Sequence, residues 1–252
     1  MKYLLIAVGI ILAVTIGFIV KRHFFTSELL QPRIGKVVES IYGLGTVMAD
    51  QTYQAKVGVS LLLIELPVRE GNIVKAGQVL ARFDESAVRA PFAGTVTEIF
   101  FKAGEIIPPQ TPILTVTNLE KIYIEVNLEQ QSVLRVRPGQ NVVVSFESLR
   151  NEAEKGKVKA VYPRDTQFIL RIELSNWPHG VLPGMTADVA IEIGTKENAL
   201  LIPLSSINAG KVTRVRKGKR EKVNVKLGMV DNLWAEVVSG DLNHNDFLLT
   251  RH

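Results

Sequence analysis

The chain has 252 residues, 46% hydrophobic and 22% charged, a globular composition long enough for two or three compact units. Its net charge of +5 suits a membrane surface or an acidic partner and is too small to argue for nucleic acid. It contains no cysteine, which excludes a disulfide framework, a zinc-cysteine centre and lipid attachment through sulfur, and leaves the compartment open.

In chain order, the first feature is YLLIAVGIILAVTIGFIV, Tyr3 to Val20, 18 residues without a charge. As a helix at ~1.5 Å per residue it spans roughly 27 Å, close to a hydrocarbon core. Lys21, Arg22, His23, Phe24 and Phe25 follow at once, with no small-residue cleavage site, so an uncleaved transmembrane anchor is expected rather than a signal peptide. Basic residues flank it on both sides and do not assign its orientation. Thr26 to Arg33 reads as a short polar connector.

Strands are expected from there on. Lys36 to Met48 is rich in β-branched residues broken by Gly43 and Gly45, and Lys121 to Leu128 alternates strictly, with Ile122, Ile124, Val126 and Leu128 on one face. The same rhythm returns in Asn141–Phe146, Phe168–Leu174, Thr186–Ile193 and Lys222–Gly228, as half-buried antiparallel strands require. Turns are expected at Pro138-Gly139, Pro183-Gly184, Gly218 and Gly240. One short helix, Glu129 to Val136, is expected to stop before Pro138. Without long helices a parallel doubly wound sheet is excluded, and the fold class is mainly β, small barrels or sandwiches in series.

The organising feature is a repeat. LPVREGNIVKAGQVLARFD, Leu66 to Asp84, is echoed 33 residues on by IFFKAGEIIPPQTPILTVT, Ile99 to Thr117. Gly71 aligns with Gly104, Ile73 with Ile106 and Leu80 with Ile113. Two copies are too few for a solenoid, so the halves are expected to close on each other about a pseudo-twofold axis. Gly71, Gly77 and Gly104 read as turn positions where glycine is favoured.

The repeat, with RAPFAGTV (Arg89 to Val96) between its copies, resembles the biotinyl/lipoyl fold over about Val57 to Asn118. One use of that fold is a swinging-arm carrier, which needs a modifiable lysine in the turn between the halves. Ala81 to Pro91 contains no lysine, so the carrier reading fails on chemistry. The other use is the periplasmic adaptor, or membrane fusion protein, of tripartite efflux pumps. That family's next domain, a β-barrel with a short helix running into a Pro-Gly-Gln turn, is similar to Thr117–Phe146, with Leu182–Ile193 as a closing strand. Leu200 to Asp246 is similar to its membrane-proximal domain.

The resemblance implies an anchor at 1–25, a connector with the first membrane-proximal strands at 26–56, a lipoyl-like barrel-sandwich hybrid at 57–118, a β-barrel at 119–198 and a membrane-proximal β-domain at 199–252. It further implies a non-enzymatic adaptor in the bacterial inner membrane, with the bulk of the chain in the periplasm. Expected partners are an inner-membrane transporter, favoured as resistance-nodulation-division type with ABC type as the alternative, and further copies of the chain as a trimer or hexamer; no cofactor is expected. Most members insert a long α-helical hairpin between the lipoyl halves. Here Asp84, Glu85, Ser86, Ala87, Val88 and Arg89 are all that stand in its place, too few for two helices, so docking of an outer-membrane channel through a helical tip is not implied. The rival reading from the residues is a tethered envelope β-domain that binds or scaffolds without transport.

Val212 to Val223 carries Arg214, Arg216, Lys217, Lys219, Arg220 and Lys222 against Glu221 alone. It reads equally as a contact for anionic lipid or acidic transporter loops and as a solvated hairpin tip whose like charge discourages edge pairing. His23, His179, His244 and His252 show no metal spacing, and Met1, Met48, Met185 and Met229 are scattered. Asp241 and Asp246 read as turn residues, and Trp177 and Trp234 as packing residues.

Overall fold

The computed structural model describes residues 28–149 and 153–250. The expected anchor, with Lys21, Arg22 and His23, lies outside the described residues, as do Met1 and His252. Among the described residues no helix is long and apolar enough to cross a membrane. The described residues are mainly β, with 58% strand and 4% helix. It divides into two compact units, one of residues 41–191 and the other of residues up to 40 together with 192 onward. The divisions fall inside the strands Arg33–Ala49 and Thr186–Pro203, so the boundary expected after residue 198 is interior to a strand.

Within 41–191, residues 52–117 form the doubled unit, and its backbone repeats at the spacing seen in the sequence. Ile73 and Val74 pair with Thr95 and Gly94, while Ile106 and Ile107 pair with Leu62 and Leu61. Val79 and Ala81 pair with Arg89 and Val88, while Pro112 and Leu114 pair with Lys56 and Ala55, each ladder bulging at the same place. Each of these pairings thus has a counterpart 33 residues away with the halves exchanged. The Gly71 N–H donates to the Val96 carbonyl at 2.8 Å and the Gly104 N–H to the Leu63 carbonyl at 2.7 Å.

The core follows the same exchange. One cluster contains Val74, Leu80, Val96 and Leu114, and the other contains Ile107, Ile113, Leu63 and Ala81, which are their equivalents. Neither half encloses a core alone, because each cluster draws on both.

The rest of 41–191 is a closed barrel. The strands run Asn141–Ser145, Ala153–Arg164, Gln167–Leu174, Ile122–Leu128, Arg33–Ala49 and Thr186–Pro203, and the last pairs back with the first. Ile124, Val126, Val144 and Leu170 point into it, as their alternation requires. The strand expected over Lys36–Met48 is observed as Arg33–Ala49 and runs through Gly43 and Gly45, where a Cβ would collide with Val126 or Ile124 across the ladder. One expectation is corrected here. The helix is Gln130–Val133, half the expected length, since Glu129 supplies no side-chain cap and the chain tightens through Arg135 and Val136 toward Pro138. Ala153–Arg164, with its run of lysines, is a strand that apolar alternation does not announce.

In the other unit, a five-stranded sheet has Lys211–Arg216 at its centre, flanked by Lys219–Asn224 and Phe247–Leu249. Ile202, Val212, Ala235 and Leu248 form its core.

Gly77 and Gln110 occupy equivalent turns of the doubled unit, with φ of +80° and +60°, and no atom lies near enough to Gly77 to crowd a Cβ. Backbone strain alone then governs both sites. Gly77→Ala is expected to destabilise by about 1–2 kcal/mol, and Gln110→Gly to be neutral or stabilising by up to about 1 kcal/mol. Urea midpoints at unchanged m-value read both.

Candidate functional site

Two places carry the candidate residues. The first is the join between the repeat halves. Val79–Arg82 and Ala87–Arg89 pair as a hairpin, and the Phe83 N–H donates to the Ser86 carbonyl at 2.8 Å. Ala87, Val88 and Arg89 are therefore strand, and only Asp84, Glu85 and Ser86, all exposed, form the tip. Phe83 and Ala90 are buried on either side and fix its base. Arg89 turns back to donate to the Gly77 carbonyl at 3.0 Å.

Gly71, Gly77, Gly104, Gly139 and Gly184 all have φ between +80° and +94°, the last two directly after Pro138 and Pro183. The Gly139 N–H donates to Val158 and the Gly184 N–H to Val47, both at 2.8 Å, tying these turns to barrel strands.

The second place is the basic hairpin, in the unit that includes residue 192 onward. Arg216 pairs with Lys219 across a two-residue turn, Lys217-Gly218, both at positive φ. Here the six cations separate, and two of the expected contact residues are corrected. Arg214 is 5% exposed, and its guanidinium meets Glu221 at 2.5 Å and Asp241 at 2.6 Å. Arg216 grips Asp246 with two bonds, at 2.6 and 2.8 Å, and reaches Asp241 at 3.3 Å. Both face inward because strand alternation places them with Val212 on the core side. Lys217, Lys219, Arg220 and Lys222 are exposed, and among the described residues no carboxylate pairs with them.

Asp241 and Asp246 are thus more than turn residues. The Asp246 carboxylate also accepts the Asn243 N–H at 2.9 Å, closing the 243–246 turn. Hydrogen bonds from Arg216 hold Asp246, and from Arg214 hold Asp241, below the usual carboxylate range, and both guanidiniums are raised in turn. The run of like charge in the sequence hid this pairing, since the acids lie about 30 residues downstream; SGDLNHND is the signal that could have found it. Buried Glu236 is likewise held down by Lys196 and by the Met229 N–H.

Trp234 is partly buried, with the Arg33 guanidinium 4.0 Å from its ring centre. His179 and His244 are exposed. Among the described residues no three His, Cys, Asp or Glu side chains stand together as metal ligands would. The arrangement is one of turns, barrel and charged hairpin.

Residues 121–194 match the family of CusB-like β-barrel domains, a span that takes in the barrel strands other than Arg33–Ala49 and the end of Thr186–Pro203. The chain is 27% identical over 185 residues to the macrolide export protein MacA of Yersinia pestis, covering 67% of this chain and 49% of that one. It is 25% identical over 207 residues to the pyoverdine export membrane fusion protein PvdR of Pseudomonas aeruginosa, covering 67% and 52%. The crystal structure of MacA from Actinobacillus actinomycetemcomitans superposes with a TM-score of 0.73 at 17% identity, over 89% of this chain and 99% of that chain, a shared fold. The family match and these export-protein relatives support a likeness to the periplasmic adaptor, or membrane fusion protein, family. The chain spans about half the length of the export-protein relatives it matches.

The partly buried arginine–aspartate cluster makes a clear acid prediction. Because the folded-state pKa values of Asp241 and Asp246 are lowered, the folded state binds fewer protons than the unfolded state near pH 4. Their stabilisation is complete at neutral pH and is lost as pH falls below about 4. Asp246→Asn is expected to cost about 2–3 kcal/mol at pH 7 and to flatten the acid limb, read by urea unfolding at pH 7 and pH 3.

Proposed function

We propose that this chain is the non-enzymatic adaptor subunit of an inner-membrane exporter, anchored by its N-terminal segment with its bulk in the periplasm. The observation that carries the reading is the pairing, within one chain, of the doubled 52–117 unit with a closed barrel of the CusB-like family. A rigid β scaffold suits the work, which is to hold a conduit wall in register, and the work needs no covalent step. Several copies, a trimer or hexamer, would ring one transporter of resistance-nodulation-division or ABC type. The names of the relatives, exporters of macrolides and of pyoverdine, support a small organic molecule as cargo.

The three-residue tip Asp84–Ser86 sets this adaptor apart from members with a helical hairpin. It leaves no helical tip between the halves to engage an outer-membrane channel, so a channel, if used, would be met by another surface or another subunit.

The test is co-purification with a functional readout. Full-length protein extracted in mild detergent is expected to bring down an inner-membrane exporter identifiable by mass spectrometry. Deletion is expected to lower export of that exporter's cargo several-fold and re-expression to restore it. Recovery of the protein free of any transporter, with export unchanged, would sink the adaptor reading in favour of a tethered scaffold.

A further inference from the structure

We propose that the cavity beside the basic hairpin is a binding site for a phosphate-type oxyanion, the group common to inorganic phosphate and an anionic phospholipid headgroup. The cavity holds about 240 Å³ and is lined at its polar wall by Ser205, Asn208, Lys211, Thr213 and Lys222. All five side chains can donate hydrogen bonds, two carry positive charge, and no carboxylate is among the lining groups.

The fold builds this selectivity. Asn208 pairs with Lys211 across the two-residue turn Ala209-Gly210, whose φ values of +48° and +73° set them side by side. Thr213 lies directly opposite Lys222 in the hairpin ladder. Alternation sends Arg214 to the other face, and its partner Glu221 goes with it, being opposite Arg214 in the same ladder. The one acid of the hairpin is therefore drawn away from the cavity. Among the described residues neither Lys211 nor Lys222 has a carboxylate partner, and the side chains of Ser205, Asn208 and Thr213 make no hydrogen bond. Ser206, by contrast, is committed to the Pro203 carbonyl at 2.7 Å. Two ammonium groups and three unengaged donors around one hollow are complementary to an oxyanion, which would satisfy the donors and relieve the repulsion between the lysines.

This site does not depend on the exporter reading, since an oxyanion would bind whether or not a transporter docks. The bland rival is a like-charged edge that merely discourages strand pairing, which predicts no saturable binding. The full-length chain in neutral detergent is titrated calorimetrically with inorganic phosphate, dihexanoyl phosphatidylglycerol and dihexanoyl phosphatidylcholine. Saturable binding to one or both anions is expected, with phosphatidylcholine inert. Tighter binding of phosphatidylglycerol assigns the site to a headgroup, and equal or tighter binding of phosphate assigns it to the free anion. Lys211→Ala/Lys222→Ala is expected to weaken binding roughly 30-fold. Lys217→Ala/Lys219→Ala, at the hairpin tip, should weaken it less than about threefold. Ser205→Ala/Asn208→Ala keeps every charge and should weaken it about tenfold, which preserves the test if the lysine variant folds poorly. No saturable heat with either anion, equal binding of phosphatidylcholine, or equal losses in the two lysine variants would overturn the proposal.

Discussion

The constraint on which the doubled unit depends is that neither half can satisfy its own backbone. The Gly71 amide finds its acceptor at Val96 and the Gly104 amide at Leu63, so each turn is closed by a strand from the other copy. Each core cluster likewise draws on both copies, and the two halves must therefore form together. The same exchange explains why the join between them tolerates so short a connection. Val79–Arg82 and Ala87–Arg89 are paired to each other and anchored by buried Phe83 and Ala90, so what lies between Phe83 and Ser86 contributes little to the core. Loop-closure entropy grows slowly with length, and the hairpin can carry three residues or a long insertion on one scaffold.

In the basic hairpin, strand alternation converts one run of positive charge into two kinds of residue. The inward cations, Arg214 and Arg216, are both arginines, whose planar forks hold carboxylates in fixed geometry; the Arg216–Asp246 pair is bidentate. The outward cations are mostly lysines, which stay hydrated on flexible stems. Asp246, which neutralises Arg216, also closes the turn leading into Phe247–Leu249, so the ionic cluster and the sheet register support one another.

Much of this was legible in the sequence because the period-two pattern and the 33-residue spacing are direct consequences of how strands bury one face. The alternation at Ile124, Val126 and Leu128 marks a barrel wall, and the Gly71/Gly104 pair marks the twofold. What was not legible depends on distant partners. The reason for glycine at 43 and 45 shows only once Val126 and Ile124 are placed opposite them. Ala153–Arg164 escapes notice because only Gly156 and Val158 are buried on its inner face, and lysines occupy the outer one. The fate of Arg214 is set by Asp241, 27 residues away and reachable only once the sheet is formed.

The doubled unit also supplies its own internal comparison, because the fold asks the same of equivalent positions. Leu63 and Val96 are equivalent and both fully buried, as the shared core requires. Their neighbours diverge. Leu62 and Ile64 in the first half are each 52% exposed, while their counterparts in the second half are Thr95 and Thr97. Since threonine serves the same backbone in one copy, the fold does not demand leucine and isoleucine in the other. Ile73 and Ile106, in contrast, are apolar in both copies and exposed in both, at 82% and 68%. The apolar character of Leu62 and Ile64 thus belongs to one surface of the unit, not to its packing, and it is there that the two halves have ceased to be copies.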